Sequence, residues 1–165
     1  MSLSRAFTAI AIALVVSGCG FRPLYGTTGT NHHVSDQLAQ IRIETIPDRT
    51  GQQLRNFLLD RINPNGQPER PHYYLLVTIN ITRTDLGIEQ DETATRANLE
   101  LTANYRLVDR TKKTTLVKGS THSTTSFNIV ASDFATLTAE TGATKRASRD
   151  VSDNIKTRLA LYFTR

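Results

Sequence analysis

Hydrophobic and polar residues change period along this chain, and the changes mark out its elements. Ile41, Ile43 and Ile46 make a short strand candidate that Pro47 and Asp48 stop. Leu54, Phe57, Leu58 and Ile62 then recur at helical spacing as one apolar stripe. Asp48 or Thr50 is placed to cap that helix, and Asn63-Pro64-Asn65-Gly66 to end it. From His72 the period becomes two. Tyr73, Leu75, Val77, Ile79 and Ile81 fall on one face, and Tyr74, Thr78, Asn80 and Thr82 on the other. A turn around Gly87 spans 85–92, and a second alternating run puts Ala97, Leu99, Leu101, Ala103, Tyr105 and Leu107 inward. Residues 109–113 form a hairpin tip. A third, Thr-rich strand over 114–127 follows, with Val117, Gly119, Thr121, Thr125 and Phe127 on one face. Ser132 can cap a last helix whose stripe runs Phe134, Leu137, Ala147, Val151, Ile155, Leu159 and Tyr162, weakened near Gly142.

The element order is therefore β-α-β-β-β-α. Strands with one dry and one wet face need a single apolar layer against them, and two amphipathic helices supply it. The expected fold is α+β: a two-layer sandwich with two helices packed on one face of a four-stranded mixed sheet, over residues 41–165. No internal repeat is visible. Ahead of it, residues 26–33 are polar, aperiodic and Gly-containing, so 19–40 reads as a tether.

The first eighteen residues have the anatomy of a signal peptide. Arg5 supplies the positive charge, Ala6 to Val16 an apolar run broken only by Thr8, and Ser17 and Gly18 the small residues before Cys19. That run is short of the roughly 20 residues a bilayer span needs. Val16-Ser17-Gly18-Cys19 resembles the bacterial lipobox, which implies cleavage before Cys19, an S-diacylglycerol on its thiol and an acyl group on its new amine. An ordinary cleaved signal with an incidental cysteine, or a buried free thiol, are the alternatives. With Gly20 rather than Asp next, the resemblance implies passage to the outer membrane. From Cys19 on, 147 residues remain, and losing Arg5 brings the side-chain charge from +5 to +4.

Composition adds two things. Thr is in excess, at 24 residues against 10 Ser, which suits strands whose exposed face is either solvated or set against a polar partner. One Cys excludes an intramolecular disulfide and a Cys-based zinc cluster. No Gly-rich phosphate loop, HExxH helix, CxxC or GxSxG elbow occurs, and the acidic residues are scattered singly. His32 and His33 fall in the tether, and His72 and His122 near strand edges, so no metal site is expected. The chain reads as a non-enzyme without a cofactor. Its basic balance suggests phosphate rather than chromosomal nucleic acid, because a secreted protein does not meet the latter. Arg outnumbers Lys 15 to 5, and guanidinium forks suit phosphate. Arg110, Lys112, Lys113 and Lys118 are the densest local group of cations.

Cys19-Gly-Phe-Arg-Pro-Leu-Tyr-Gly26 closely resembles the start of mature lipopolysaccharide-assembly lipoproteins, the small subunit of the outer-membrane translocon. Residues 48–58, the run Pro71-His-Tyr-Tyr-Leu-Leu-Val77, and Ala147, Ile155, Arg158, Leu159, Tyr162 and Phe163 resemble that family's first helix, second strand and last helix. The resemblance implies a two-helix, four-stranded domain anchored in the inner leaflet of the outer membrane. It also implies a plug within the lumen of a β-barrel partner, which it helps assemble, and contact with lipopolysaccharide, for which Arg110, Lys112, Lys113 and Lys118 are the candidates. A periplasm-facing lipoprotein chaperone or pilot for another envelope complex is the alternative.

Overall fold

The computed structural model describes residues 30–88 and 94–164. Cys19, the octapeptide that follows from it and the signal segment lie outside the described residues. In chain order the elements are α1 (Thr30–Ala39), β1 (Ile41–Ile43), α2 (Arg49–Ile62), β2 (Tyr73–Ile88), β3 (Ala94–Asp109), β4 (Thr115–Asn128) and α3 (Asp133–Phe163). The four strands form one sheet in the order β1-β2-β3-β4, with β1 parallel to β2 and the other pairs antiparallel. The mixed α+β sandwich is as the periodicity predicts, with one helix more.

That helix is α1, which occupies the described part of the expected tether. Among its described side chains only Val34 and Leu38 are buried, one turn apart, among polar neighbours with no marked helix preference. Its stability comes from packing beside α3 and from its junction with the sheet. Asn63 Nδ2 donates to the carbonyls of Ala39 and Ile41, and the Gln40 carbonyl accepts from the amides of His72 and Tyr73. Tyr73 Oη donates to Gln37 Oε1 at 2.9 Å. Residues 30–39 are thus helical and joined to the sheet.

β1 is shorter than expected, ending at Ile43, yet Ile46 beyond it is 1% exposed. Its side chain sits against Gly51 in the first turn of α2, where a Cβ would lie 2.7 Å from Ile46 Cγ2. Asp48 occupies the N-cap position, but its side chain makes no capping bond; its carbonyl takes the Gln52 amide instead. Leu54, Leu58 and Ile62 bury the inner stripe of α2, and Asn63 closes it.

The inward set of β3 is buried from Ala97 to Leu107 as the alternation dictates. Ser132 caps α3, its Oγ accepting from the Ala135 amide. Gly142 does not interrupt this helix, which runs unbroken for 31 residues, about 46 Å at 1.5 Å per residue. Its neighbour α2 has 14 residues, about 21 Å. The stripe on α3 is buried only from Ala143 onward, where Ala147, Ser148, Val151, Ser152, Ile155, Leu159 and Ala160 meet the sheet and α2. The sequence pattern puts Phe134 and Leu137 inward, but they are 80% and 62% exposed, because they lie at or before the stretch of α3 that faces the first turn of α2 around Arg49 and Thr50. Arg61 on α2 and Asp153 on α3 clamp the two helices side by side through a bidentate pair, Nη2 to Oδ2 at 2.9 Å.

Two stretches of sheet edge have no partner strand among the described residues. β1 pairs only with Tyr73, Tyr74 and Leu75 of the sixteen-residue β2, and β4 forms the other edge along its whole length.

Candidate functional site

Three surfaces stand out from the solvated background. The first is the β3–β4 hairpin tip. Asp109 shapes it: one carboxylate oxygen accepts the amides of Thr111 and Lys112, both at 2.8 Å, while the Asp109 carbonyl accepts from Lys113. The Lys112 amide, followed by the Thr111 amide and the Lys112 charge, holds the Asp109 carboxyl below the usual carboxylate range. Lys113 sits in the left-handed region at φ 54°, and the Arg110 amide donates to the His72 carbonyl. Arg110, Lys112 and Lys113 are all exposed on this ordered turn.

Lys118 is not with them. It is the fourth residue of β4, about 10 Å along the strand from Thr115 where the strand begins, on the sheet face opposite the helices. Its cross-strand partner there is Arg106. Sequence reasoning missed Arg106, although the alternation of β3 already placed it outward; the missing step was the register, which a one-residue change would have altered.

The second surface is this open face. Its rows run Thr78–Asn104–Ser120, Asn80–Thr102–His122, Thr82–Glu100–Thr124 and Thr84–Asn98–Ser126, a field of hydroxyls and amides with few charges. A cleft of about 730 Å³ opens on it near the end of β1, lined by Pro47, Leu76, Thr78, Asn104, Arg106 and Lys118 among others.

The third is the end of the molecule away from α1. Val130, Phe134 and Leu137, three of the six large apolar side chains exposed among the described residues, lie within eight residues of one another at the start of α3. Arg83 stiffens the same region. Its guanidinium donates to Asp85 and Glu140 at 2.8 and 3.0 Å and stacks 5.3 Å over Phe127, tying β2 to α3. Exposed apolar groups concentrated this way mark contact with another molecule more often than chance scatter does.

Among the described residues no group of three His, Cys, Asp or Glu side chains converges. His33, His72 and His122 are each exposed and stand on separate elements or turns. No helix among the described residues is long and apolar enough to cross a membrane.

The lipopolysaccharide-assembly (LptE) family profile matches residues 38–159. The chain belongs to that family. The match begins at the end of α1 and ends in the last turns of α3, so it spans the whole sheet and α2. A protein of Rickettsia prowazekii is 24% identical over 156 residues, covering 94% of this chain and 96% of its own length. Solved structures repeat the fold at low identity. A Caulobacter crescentus chain solved as a lipoprotein superposes with a TM-score of 0.66 at 21% identity, over 82% of this chain and 98% of that one. Rare lipoprotein B from Shewanella oneidensis gives 0.56 at 10% identity, over 73% and 93%. The LptE fold therefore persists where few side chains do. LptE lipoproteins carry no cofactor; any lipid is covalent.

Proposed function

We propose that this LptE-family protein is an outer-membrane lipoprotein, anchored through acylated Cys19, that plugs and helps assemble the β-barrel lipopolysaccharide translocon. In this role it makes and breaks no bond. The family match over residues 38–159 carries the reading, and two features support it. The open sheet face offers hydroxyls and amides, groups that pair well with the polar interior of a barrel. The apolar end around Phe134 and Leu137 is a surface that isolation in water leaves unsatisfied. The tip cations Arg110, Lys112 and Lys113 are positioned to meet lipopolysaccharide phosphates.

Purification from membranes in mild detergent tests the role: a stoichiometric barrel subunit of lipopolysaccharide transport co-elutes. Recovery of a different envelope complex would instead favour a periplasm-facing chaperone or pilot. Cys19→Ala abolishes lipid labelling and membrane fractionation, and unchanged partition would refute the anchor. Converting Lys112 and Lys113 to Glu weakens lipopolysaccharide binding, as does added salt; an affinity indifferent to both leaves the tip a solubilising turn.

A further inference from the structure

The two outer strands of the sheet are finished differently. On β1 the Ile43 amide donates to Gln67 Oε1 at 2.9 Å and Arg42 Nη2 donates to the Pro68 carbonyl, so the loop before β2 covers that edge. β4 lacks such a cover over most of its length. The Ile129 amide donates to the Thr95 carbonyl, and with the register this fixes which backbone groups of β4 face β3. Those of Lys118, Ser120, His122, Thr124 and Ser126 point away. The Ser126 carbonyl accepts from Arg146 Nη2 at 3.3 Å, while the other four have no partner on that side among the described residues. Edge strands are commonly guarded by Pro or by several charges. Thr115–Asn128 has one Lys, no Pro and no carboxylate.

A cavity of about 480 Å³ lies beside this edge, between β4 and the last turns of α3, lined by Tyr105, Leu116, Lys118, Arg158, Leu161 and Tyr162 among others. Tyr105 reaches it from β3 across Gly119: its Oη stands 2.6 Å from the point a Cβ there would occupy. The residue is 4% exposed, yet its hydroxyl has no hydrogen-bond partner among the described residues. A buried phenol normally finds one. Arg158 has no carboxylate partner among them either, and Leu161 is exposed. Two unmatched donors and an uncovered leucine therefore border a row of unpaired backbone groups.

From this juxtaposition we infer that β4 receives an acidic, extended segment of a partner protein as a fifth strand. Backbone pairing along residues 118–124 holds the segment. A carboxylate on its helix-facing side enters the cavity and accepts from Arg158 and from Tyr105 Oη. Aliphatic neighbours of that carboxylate cover Leu116 and Leu161. Charge selects an acidic segment: Lys118 and Arg158 line the cavity and Arg146 stands farther along the edge, whereas Asp150 already accepts from Ser123 Oγ at 3.0 Å. The inference needs neither the barrel nor the lipid anchor, so its failure leaves the translocon reading intact.

Calorimetric titration of the full-length lipoprotein in a neutral maltoside detergent tests it. The probes are the peptide acetyl-Thr-Val-Thr-Glu-Thr-Val-Thr-amide and its analogue with Gln at the centre. The first binds saturably, one per chain, and about tenfold more tightly than the second, the difference expected of a charge-assisted bond. R158Q removes that preference, and Y105F weakens the Glu peptide by about threefold, as loss of a neutral hydrogen bond does. N-methylation of the peptide amides that face β4 abolishes binding, and N-methylation of the alternate set, which faces solvent, does not. These two peptides leave the protein unaltered, so their contrast stands whatever a substitution does to folding. K112Q/K113Q at the tip changes the affinity less than about twofold, as exposed charges outside the cavity do. Absence of saturable binding overturns the inference. So does an equal loss from both methylated peptides, or a Gln analogue that binds as tightly as the Glu peptide. A dimer in sedimentation velocity that dissociates in S120P, which removes one outward amide, assigns the edge to a second copy and overturns it as well.

Discussion

The contact between Gly51 and Ile46 sets two forces of known size against each other. In a helix interior Ala is favoured over Gly by about 0.5–1 kcal/mol, so Gly51→Ala would stabilise α2 if local propensity decided. The structure opposes this. A Cβ at position 51 would stand 2.7 Å from Ile46 Cγ2 and 3.1 Å from both the carbonyl carbon and oxygen of Ile46. Ile46 is 1% exposed and has no room to retreat. Overpacking a filled core by a methyl costs about 1–3 kcal/mol. The expected net effect is a loss of about 1–2 kcal/mol, or a fall of about 3–6 °C in melting temperature for a chain of this size. Urea denaturation followed by far-ultraviolet circular dichroism measures it. A double-mutant cycle sharpens the test, because Ile46→Leu removes the offending Cγ2. That change costs less in the Gly51→Ala background than in the parent. An alanine that is neutral or stabilising, or a cycle with no coupling, would refute the claim that Gly51 is there for close approach.

Two further substitutions probe the helix layer. Ser148 Oγ is fully buried in α3 with no hydrogen-bond partner, so Ser148→Ala removes an unsatisfied group and raises stability by about 1 kcal/mol; a lower urea midpoint would contradict this. The Asp153 carboxyl is held below its ordinary 3.8, first by the hydrogen bond from Arg61, with the charges of Arg61, Lys156 and Arg149 acting in the same direction. A carboxyl depressed in the folded state contributes stability above its unfolded pKa, and that contribution fades as pH falls through the folded value. Because Asp153 is about half exposed, Asp153→Asn costs no more than about 1 kcal/mol near pH 7. Its midpoint converges with the parent's in acid; a difference independent of pH would point to lost packing instead.

The parts of the fold legible in the sequence are those set by a short-range period. Six alternate positions of β3 from Ala97 to Leu107 identified their own face, and the stripe from Leu54 to Ile62 identified a helix. What failed depended on relative lengths and pairings. Nothing near Val34 and Leu38 shows that α3 extends far enough to receive them. Phe134 and Leu137 continue the stripe of α3 faithfully, but whether a stripe is covered depends on where α2 begins. The candidate cations split for a related reason. Closeness in sequence joined Lys118 to Lys113, whereas the strand carried it away and the register joined it to Arg106.

The exposed edge formed by β4 has a consequence for how this domain breathes. Along an antiparallel edge strand, alternate amides bond inward to the neighbouring strand and the others point away. The two sets on β4 therefore exchange hydrogen with solvent on different clocks. Amides directed to β3 open only when the sheet itself opens, while those between them exchange at rates near those of an unfolded peptide. Any partner that adds a strand along Thr115–Asn128 would slow the fast set and leave the slow set unchanged. A residue-by-residue exchange profile of this one strand thus records whether the edge is occupied.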